Sequence, residues 1–415
     1  MKAHLFGRLT PPLEARRRLL AATVPVARVE QVPVGQAFGR VAARDVRAPA
    51  PVPPFRRASW DGFALRSRDV RGASVAHPCR LKVVGQVFAE QTFPRVVGPG
   101  EAVAIATGGA LPAGADAVAI FEDVRQVRSL VTVRAPVAPG ARIAAVGHDF
   151  PRGALLAREG ETLGPAALGA IAACGSAAVT VYARPVVTLV PNGNELRVPG
   201  QRLRPGEIYE SNDAALSAFL AACGAETRAR PPVRDDPVAL ERALREAVRT
   251  SDLVLATGGS SVGEHDHLPR LFPRIGQVLF QGVAVRPGKP TLAARAGRKL
   301  LVGLPGHPTS CLLNMHWLLL PVLRKLSHLP GSGWTARAAT VRGPVLEATP
   351  GLATVVPLSV QGDAVRSTFR GSSAITSLRA ATAFAILPPG RRAVRAGSRL
   401  RVCVLDPPLG PRPNG

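Results

Sequence analysis

The second half of the chain repeats one pattern three times: an apolar run of strand length breaks at a glycine turn and gives way to the next element. Pro185 to Pro191 runs into Asn192-Gly193-Asn194-Glu195, Ser251 to Ala256 into Thr257-Gly258-Gly259, and Lys299 to Leu304 into Pro305-Gly306-His307-Pro308. Between these runs, Ser211 to Cys223 and Pro237 to Arg249 carry helical periods, with N-cap residues at Ser211 and Asp236. Apolar strands that alternate with helices predict an open α/β sheet. Such sheets take ligands outside the carboxyl ends of their strands, so three glycine turns at three strand ends are expected to meet at one crevice.

The flanking regions read differently. Thr10-Pro11-Pro12 followed by Leu13 to Ala22 predicts a capped helix with proline in its first turn. From about Asp45 to Ala145 short segments such as Leu81 to Phe88, Ala102 to Thr107 and Leu130 to Val133 alternate between Gly and Pro signals, which predicts a compact β domain. Gly164 to Cys174 reads as a small helix returning to the first layer, so the first domain is discontinuous. Beyond Trp334, the runs Ala338 to Val345, Thr354 to Leu358, Ala383 to Leu387 and Leu400 to Leu405 predict a small terminal β barrel or sandwich. The fold class is multi-domain α/β plus β, with domain I at 1–46 and 146–182, domain II at 47–145, domain III at 183–330 and domain IV at 331–415.

Composition narrows the function. The net charge of +25 invites a nucleic-acid reading, yet only five of the 53 basic residues are lysine and the arginines are scattered singly or in pairs, with aromatics at 4%. Phosphate-tracking surfaces cluster their cations among aromatics, so no nucleic-acid partner is expected, while an anionic small molecule is. Five cysteines, odd in number and never in a CxxC pair, point to a reducing compartment. The longest apolar stretch, Leu312 to Leu323, is interrupted by Asn314, His316 and Pro321 and is too short to span a bilayer, so a cytoplasmic location without a membrane partner is expected.

Chemistry concentrates in the turns. The loop Gly258-Gly259-Ser260-Ser261-Val262-Gly263-Glu264-His265-Asp266 combines backbone freedom, hydroxyls and a carboxylate able to hold a hard cation such as Mg²⁺. His265 and His267 lack a partner pair elsewhere, which speaks against zinc. Arg286-Pro287-Gly288-Lys289-Pro290 sets two cations on a stiff backbone, suited to a dianion. Leu304-Pro305-Gly306-His307-Pro308-Thr309-Ser310 opens a helix whose unsatisfied N–H groups favour anions. Glu195 and Asp61 supply acids, and acids beside a basic pocket make sense with a phosphorylated substrate and Mg²⁺. Taken singly, each of these segments also reads as an ordinary turn.

Their order is what carries weight. Ser59-Trp60-Asp61-Gly62-Phe63-Ala64, the run Thr107 to Val118, Asn192-Gly193-Asn194-Glu195-Leu196, the Gly258 to Asp266 loop, Pro287-Gly288-Lys289-Pro290 and Leu304 to Pro308 follow one another as in a single family. Over about residues 5 to 405 the sequence resembles the molybdopterin molybdenumtransferases, the MoeA family that includes the gephyrin E domain. The resemblance implies an elongated four-domain subunit in a homodimer, its third domain of the molybdopterin-binding α/β fold and its fourth a β barrel. It also implies insertion of molybdate into adenylated molybdopterin with Mg²⁺-dependent release of AMP, and a contact with a molybdopterin adenylyltransferase.

Carried over by position, the resemblance makes Asp61, Glu195, Asp266 and Lys289 catalytic, with Asp61, Glu195 and Asp266 on the metal. Thr107, Asp149, Gly258, Gly259, Asp252, Pro305, Pro308 and Ser377 would bind the adenylated pterin, and Ser261, Arg286, Lys289 and Ser310 the molybdate. Asp61 is expected to face Glu195, Asp252 and Asp266 across the dimer interface. Three departures stand out: Asn194 where the family carries Asp, Trp60 for Met and His307 for Asn. An adenylyltransferase-like enzyme, and a weakened paralogue acting as a binding or scaffold protein, are the alternatives.

Overall fold

Alternation at every second residue builds the first sheet. The computed structural model describes residues 8–260, 266–344, 346–390 and 393–405, and these fall into two units, Gln31–Val181 and Met1–Glu30 with Tyr182–Gly415. In the first unit six strands pair in the order Ala117–Ile120, Gly62–Leu65, Glu101–Ile105, Cys79–Val87, Leu130–Val133, Val124–Val127. Phe63, Leu65, Leu81 and Val131 bury one face, and Ala64, Val87, Val103 and Ile105 the other. The expected small helix is Pro165–Ala173.

The second unit holds the α/β sheet. Its strands are β1 (Val186–Pro191), β2 (Glu226–Ala229), β3 (Leu253–Thr257), β4 (Gln277–Gln281), β5 (Leu292–Ala296) and β6 (Lys299–Leu304), in the order β2-β1-β3-β6-β5-β4. The first four of that order run parallel, and β5 and β4 add an antiparallel edge that the sequence pattern does not announce. Fully apolar strands need cover on both faces. Helices α1 (Pro12–Ala22), α2 (Asn212–Ala222) and α5 (Pro308–Asn314) contribute buried side chains to one core, while α3 (Pro237–Thr250) and α4 (Leu268–Ile275) contribute to the other.

One expectation changes at the amino end. Residues 8–30 pack with the α/β unit, where Ala15, Leu19 and Ala22 of α1 are buried in the core that also holds Leu189, Leu216 and Leu318. Thr10 does not cap α1. Its N–H donates to the Gly282 carbonyl at 3.1 Å, and its own carbonyl accepts from Ala284 N–H at 2.8 Å, so the segment before the helix is tied to the loop after β4.

The terminal β region closes. Ala353–Gln361 pairs with Ala364–Ser367, which pairs with Trp334–Val341, then Arg399–Leu405, then Ala383–Leu387, which returns to Ala353–Gln361. That ring of pairings is a small barrel, with Val341, Leu358, Phe384 and Val402 among its buried residues. Among the described residues no helix is long and apolar enough to cross a membrane.

Candidate active site

Three parallel strands end level with one another. Pro191 pairs with Thr257 and Thr257 with Leu304, so the turns that follow β1, β3 and β6 leave the sheet along one edge. Packing there is tight enough to dictate glycine. A Cβ on Gly258 (φ +83°) would lie 2.2 Å from the Asn192 carbonyl oxygen, and one on Gly259 (φ +56°) 2.3 Å from Asn192 Oδ1. Asn192 is 2% exposed and its Nδ2 donates to the carbonyls of Val233 (3.2 Å) and Arg234 (3.3 Å), while its Oδ1, like Thr257 Oγ1, is buried with no partner among the described residues.

Glu195 stands exposed just beyond, its carboxylate folded over Gly193. Asn194 is engaged reciprocally: its N–H donates to Asp235 Oδ2 at 3.1 Å and its Oδ1 accepts from Asp235 N–H at 3.2 Å. The Asn194 amide oxygen, at the position where the family carries Asp, is therefore committed to backbone. Asp235, not singled out in the sequence, joins the turn instead. It was hidden because Arg234-Asp235-Asp236-Pro237 reads as a helix start, and Asp236 does cap α3 by accepting from Ala239 N–H at 2.6 Å.

Next to this turn lie two acids with raised pKa values. Burial pushes Glu210 above the ordinary glutamate range, and the nearby Glu195 charge adds to it. Burial, then the Glu210 charge, takes Asp213 up to about 7. Ser211 makes no side-chain cap on α2; Glu210 Oε1 accepts from Asp213 N–H at 2.9 Å in its place.

The two cations reach the same edge from the far side. Leu292 pairs with Gly303 in antiparallel register, so the residues just before β5 emerge where β6 ends. Val285–Arg286 forms a short parallel pairing with Ala353–Thr354 of the barrel, which anchors the start of the segment. Gly288 (φ +115°) is held against Asn314, whose Nδ2 donates to Thr291 Oγ1 (2.7 Å) and whose Oδ1 accepts from Trp317 Nε1 (2.7 Å). Arg286 and Lys289 are exposed on this fixed turn.

The Pro305 to Pro308 turn is less open than expected. Its Gly306 carbonyl accepts from Asn212 Nδ2 at 2.9 Å, His307 Nδ1 lies 3.1 Å from Ser372 Oγ, and Thr309 N–H donates to the Ser372 carbonyl at 3.1 Å. The Thr309 amide is thus not available to an anion. Ser310 is buried at 3% exposure. Ser377 is fully buried, and its Oγ accepts from Arg370 N–H at 2.8 Å, so it braces the loop that covers this turn rather than presenting a hydroxyl to a ligand.

Asp252 leaves the set altogether. It precedes β3, at the opposite end of the strand from Gly258, and accepts from Arg28 (2.9 and 2.7 Å), Val186 N–H (2.8 Å) and Lys299 (3.3 Å). Asp266 is half-buried before α4, while Ser261 lies outside the described residues.

In the Gln31–Val181 unit two candidates meet. Gly62 pairs with Ile105, which sets Asp61 beside Thr107, and Asp61 Oδ1 accepts from Thr107 N–H (2.6 Å) and Oγ1 (2.8 Å). The amide bond first and the hydroxyl second hold this exposed carboxyl below the ordinary aspartate range. Gly62 is obligatory behind it, since a Cβ would lie 2.1 Å from the Ala119 carbonyl oxygen. Asp149 is exposed, with its N–H donating to the Val52 carbonyl at 3.0 Å.

Among the described residues no three His, Cys, Asp or Glu side chains form a ready-made metal cage. The carboxylates after β1 and before α4, Glu195 exposed and Asp266 half-buried, are oxygen donors of the kind a hard cation takes.

Comparison with known proteins places these features in a family. The MoeA N-terminal region (domain I and II) matches residues 10–175, and the probable molybdopterin binding domain matches residues 192–325. Molybdopterin molybdenumtransferase of Synechococcus elongatus is 35% identical over 92% of this chain and 95% of its own, and that of Bacillus subtilis 31% over 91% and 90%. The crystal structure of the molybdopterin biosynthesis MoeA protein from Pyrococcus horikosii aligns with a TM-score of 0.83 at 34% identity, covering 96% of this chain and 99% of that one. With domain matches over most of its length and relatives of this identity along nearly all of it, the chain belongs to the MoeA family of molybdopterin molybdenumtransferases, enzymes of molybdenum cofactor biosynthesis.

Proposed function

We propose that the chain inserts molybdate into adenylated molybdopterin and releases AMP, with Mg²⁺ as its cofactor. The observation that carries this reading is the level register of Pro191, Thr257 and Leu304, which gives oxygen donors and fixed cations one common edge. Molybdate is a tetrahedral dianion. It exchanges hydration for pre-oriented donors, and Arg286 as a fork, Lys289 as a point charge and the Ser261 and Ser310 hydroxyls are the groups assigned to it. Gly258 and Gly259 let main chain approach the pterin phosphate, and Pro305 and Pro308 shape the neighbouring wall.

Glu195 and Asp266 hold the metal, together with Asp61 from a second copy of the chain. When bound, Mg²⁺ offsets the charge that builds on the leaving phosphate. Thr107 keeps the Asp61 carboxyl ionised, and Asp149 contacts the same substrate. Lys289 stabilises the developing anion, and the two substrates, held side by side, react without diffusing apart. The reading includes a homodimer of four-domain subunits, a contact with a molybdopterin adenylyltransferase and a cytoplasmic location, the last supported by five free cysteines. Asp252 and Ser377 have no part in it.

The test is AMP release from adenylated molybdopterin, followed chromatographically with and without molybdate and Mg²⁺. Release that requires both is the expected result. No release from well-folded protein would leave a binding protein in place of the enzyme.

A further inference from the structure

Four strand ends of the sheet in the Gln31–Val181 unit stand level. Ile120 pairs with Gly62, Gly62 with Ile105 and Ile105 with Val87, so the residues just outside them leave the sheet along one edge. In spatial order these are Phe121, then Asp61 with Trp60 before it, then Thr107, then Phe88. Neighbouring strands lie about 4.8 Å apart, so Phe121 follows one spacing to one side of Asp61 and Phe88 two spacings to the other, about 5 and 10 Å along the edge.

Aromatics make up only 4% of the chain, yet Trp60, Phe88 and Phe121 are 59%, 46% and 48% exposed at this one edge. Large aromatics left in water forgo the burial that they usually gain, and around a fixed carboxylate they offer π-faces to a planar ligand. The edge is rigid behind them. Ala58 N–H donates to the Gly109 carbonyl (3.0 Å), the Ala58 carbonyl accepts from Gly108 N–H (2.8 Å), and Ser59 N–H donates to the Arg142 carbonyl (2.9 Å), so the backbone that carries Trp60 is tied to the Thr107 turn. Phe121 is braced edge-on against the buried Phe63, with centroids 5.2 Å apart, whereas Trp60 makes no ring or cation contact among the described residues.

We propose that Trp60 stacks on the adenine ring of the adenylated substrate, with Phe88 and Phe121 as apolar flanks. The assignment rests on the proposed function, which puts the metal and the leaving phosphate at Asp61 and gives the pterin phosphate to the Gly258–Gly259 turn. Adenine is the part of that substrate left without a partner, and the residue next to Asp61 in the chain is an exposed indole on a fixed backbone. An indole in place of the family's Met gives this chain a full π-face at that position, and stacking of this kind holds a base by its ring rather than by its polar edge.

Calorimetric titration of the full-length protein with AMP and Mg²⁺ tests it, with ribose 5-phosphate, which keeps the phosphate and lacks the ring, as the control. The control is expected to bind about tenfold more weakly, the cost of one lost base stack. Trp60→Ala should bring AMP down to the level of ribose 5-phosphate and leave ribose 5-phosphate unchanged, while Trp60→Phe stays within about threefold of wild type. In turnover the Trp60→Ala loss falls on KM for the adenylated substrate rather than on kcat, because the ring is held equally in ground and transition states. AMP that binds no better than ribose 5-phosphate, or equally well to Trp60→Ala and wild type, overturns the proposal, as does 6-hydroxymethylpterin whose binding depends on Trp60 where that of AMP does not. A chain that binds AMP through Trp60 yet releases none from adenylated molybdopterin keeps this site and loses the proposed reaction. One that releases AMP with the same KM in Trp60→Ala keeps the reaction and loses the site.

Discussion

The two ends of the α/β sheet each carry acidic residues beside parallel strands, and they treat them in opposite ways. At the amino end Asp252 receives two bonds from Arg28, one from the Val186 amide and one from Lys299. At the carboxyl end Asn192 Oδ1 and Thr257 Oγ1 are buried with no partner among the described residues, and Glu195 stands in solvent. An acid whose lone pairs are answered by its own chain builds the fold. The edge that packs backbone against glycine and leaves its carboxylate in solvent is the one the proposed function assigns to the ligand.

That contrast can be broken most forcefully at Glu195. Glu195→Ala or Asp266→Ala should cut AMP release by about a hundredfold or more, as loss of charge stabilisation of several kcal/mol demands. The thermal midpoint should move by no more than about 2 °C, because Glu195 is exposed and Asp266 only half-buried. Next comes Gly258→Ala, whose Cβ has no room beside the Asn192 carbonyl and whose φ disfavours any side chain. About 2–4 kcal/mol of stability should be lost in urea unfolding, with activity falling as the strand tips separate.

Asp252→Asn is the mirror test: about 1.5–3 kcal/mol less stable, with activity per folded molecule unchanged. Burial alone would raise the Asp252 pKa, but Arg28, the Val186 amide and Lys299 outweigh it and the folded value is depressed. The stabilisation is therefore complete above the ordinary aspartate value near ~3.9 and fades as pH falls through the lower folded value. Wild type and variant should converge in stability as urea melts are carried down that acid range. The smallest effect belongs to Thr107→Val, which removes the weaker of the two bonds on Asp61 and should raise its pKa only part of the way back, since the amide bond remains. Carboxyl-carbon NMR reads the shift.

The strand-to-glycine runs made the α/β sheet legible because parallel strands buried on both faces have to be apolar throughout. Its antiparallel edge was not legible: Leu292–Ala296 is Leu-Ala-Ala-Arg-Ala, a helix-prone composition overridden by pairing with β6. Asp61 and Thr107 stood out separately, yet their pairing depends on the Gly62–Ile105 register, which one sequence does not reveal. Asp252 misled for a related reason, since the residue that satisfies it, Arg28, lies 224 positions away. Ser377 and Asp235 show the same limit in local form. Whether a hydroxyl braces a loop or an acid turns toward Asn194 is settled by packing rather than by neighbours in the chain.

The most direct test sets the two sheet ends against each other in one assay: kcat/KM for AMP release by Glu195→Ala and by Asp252→Asn, each normalised to folded protein. The expected result is near-complete loss for Glu195→Ala and wild-type efficiency for Asp252→Asn. Equal losses in both, or full efficiency in Glu195→Ala, would contradict the assignment of catalysis to the carboxyl edge.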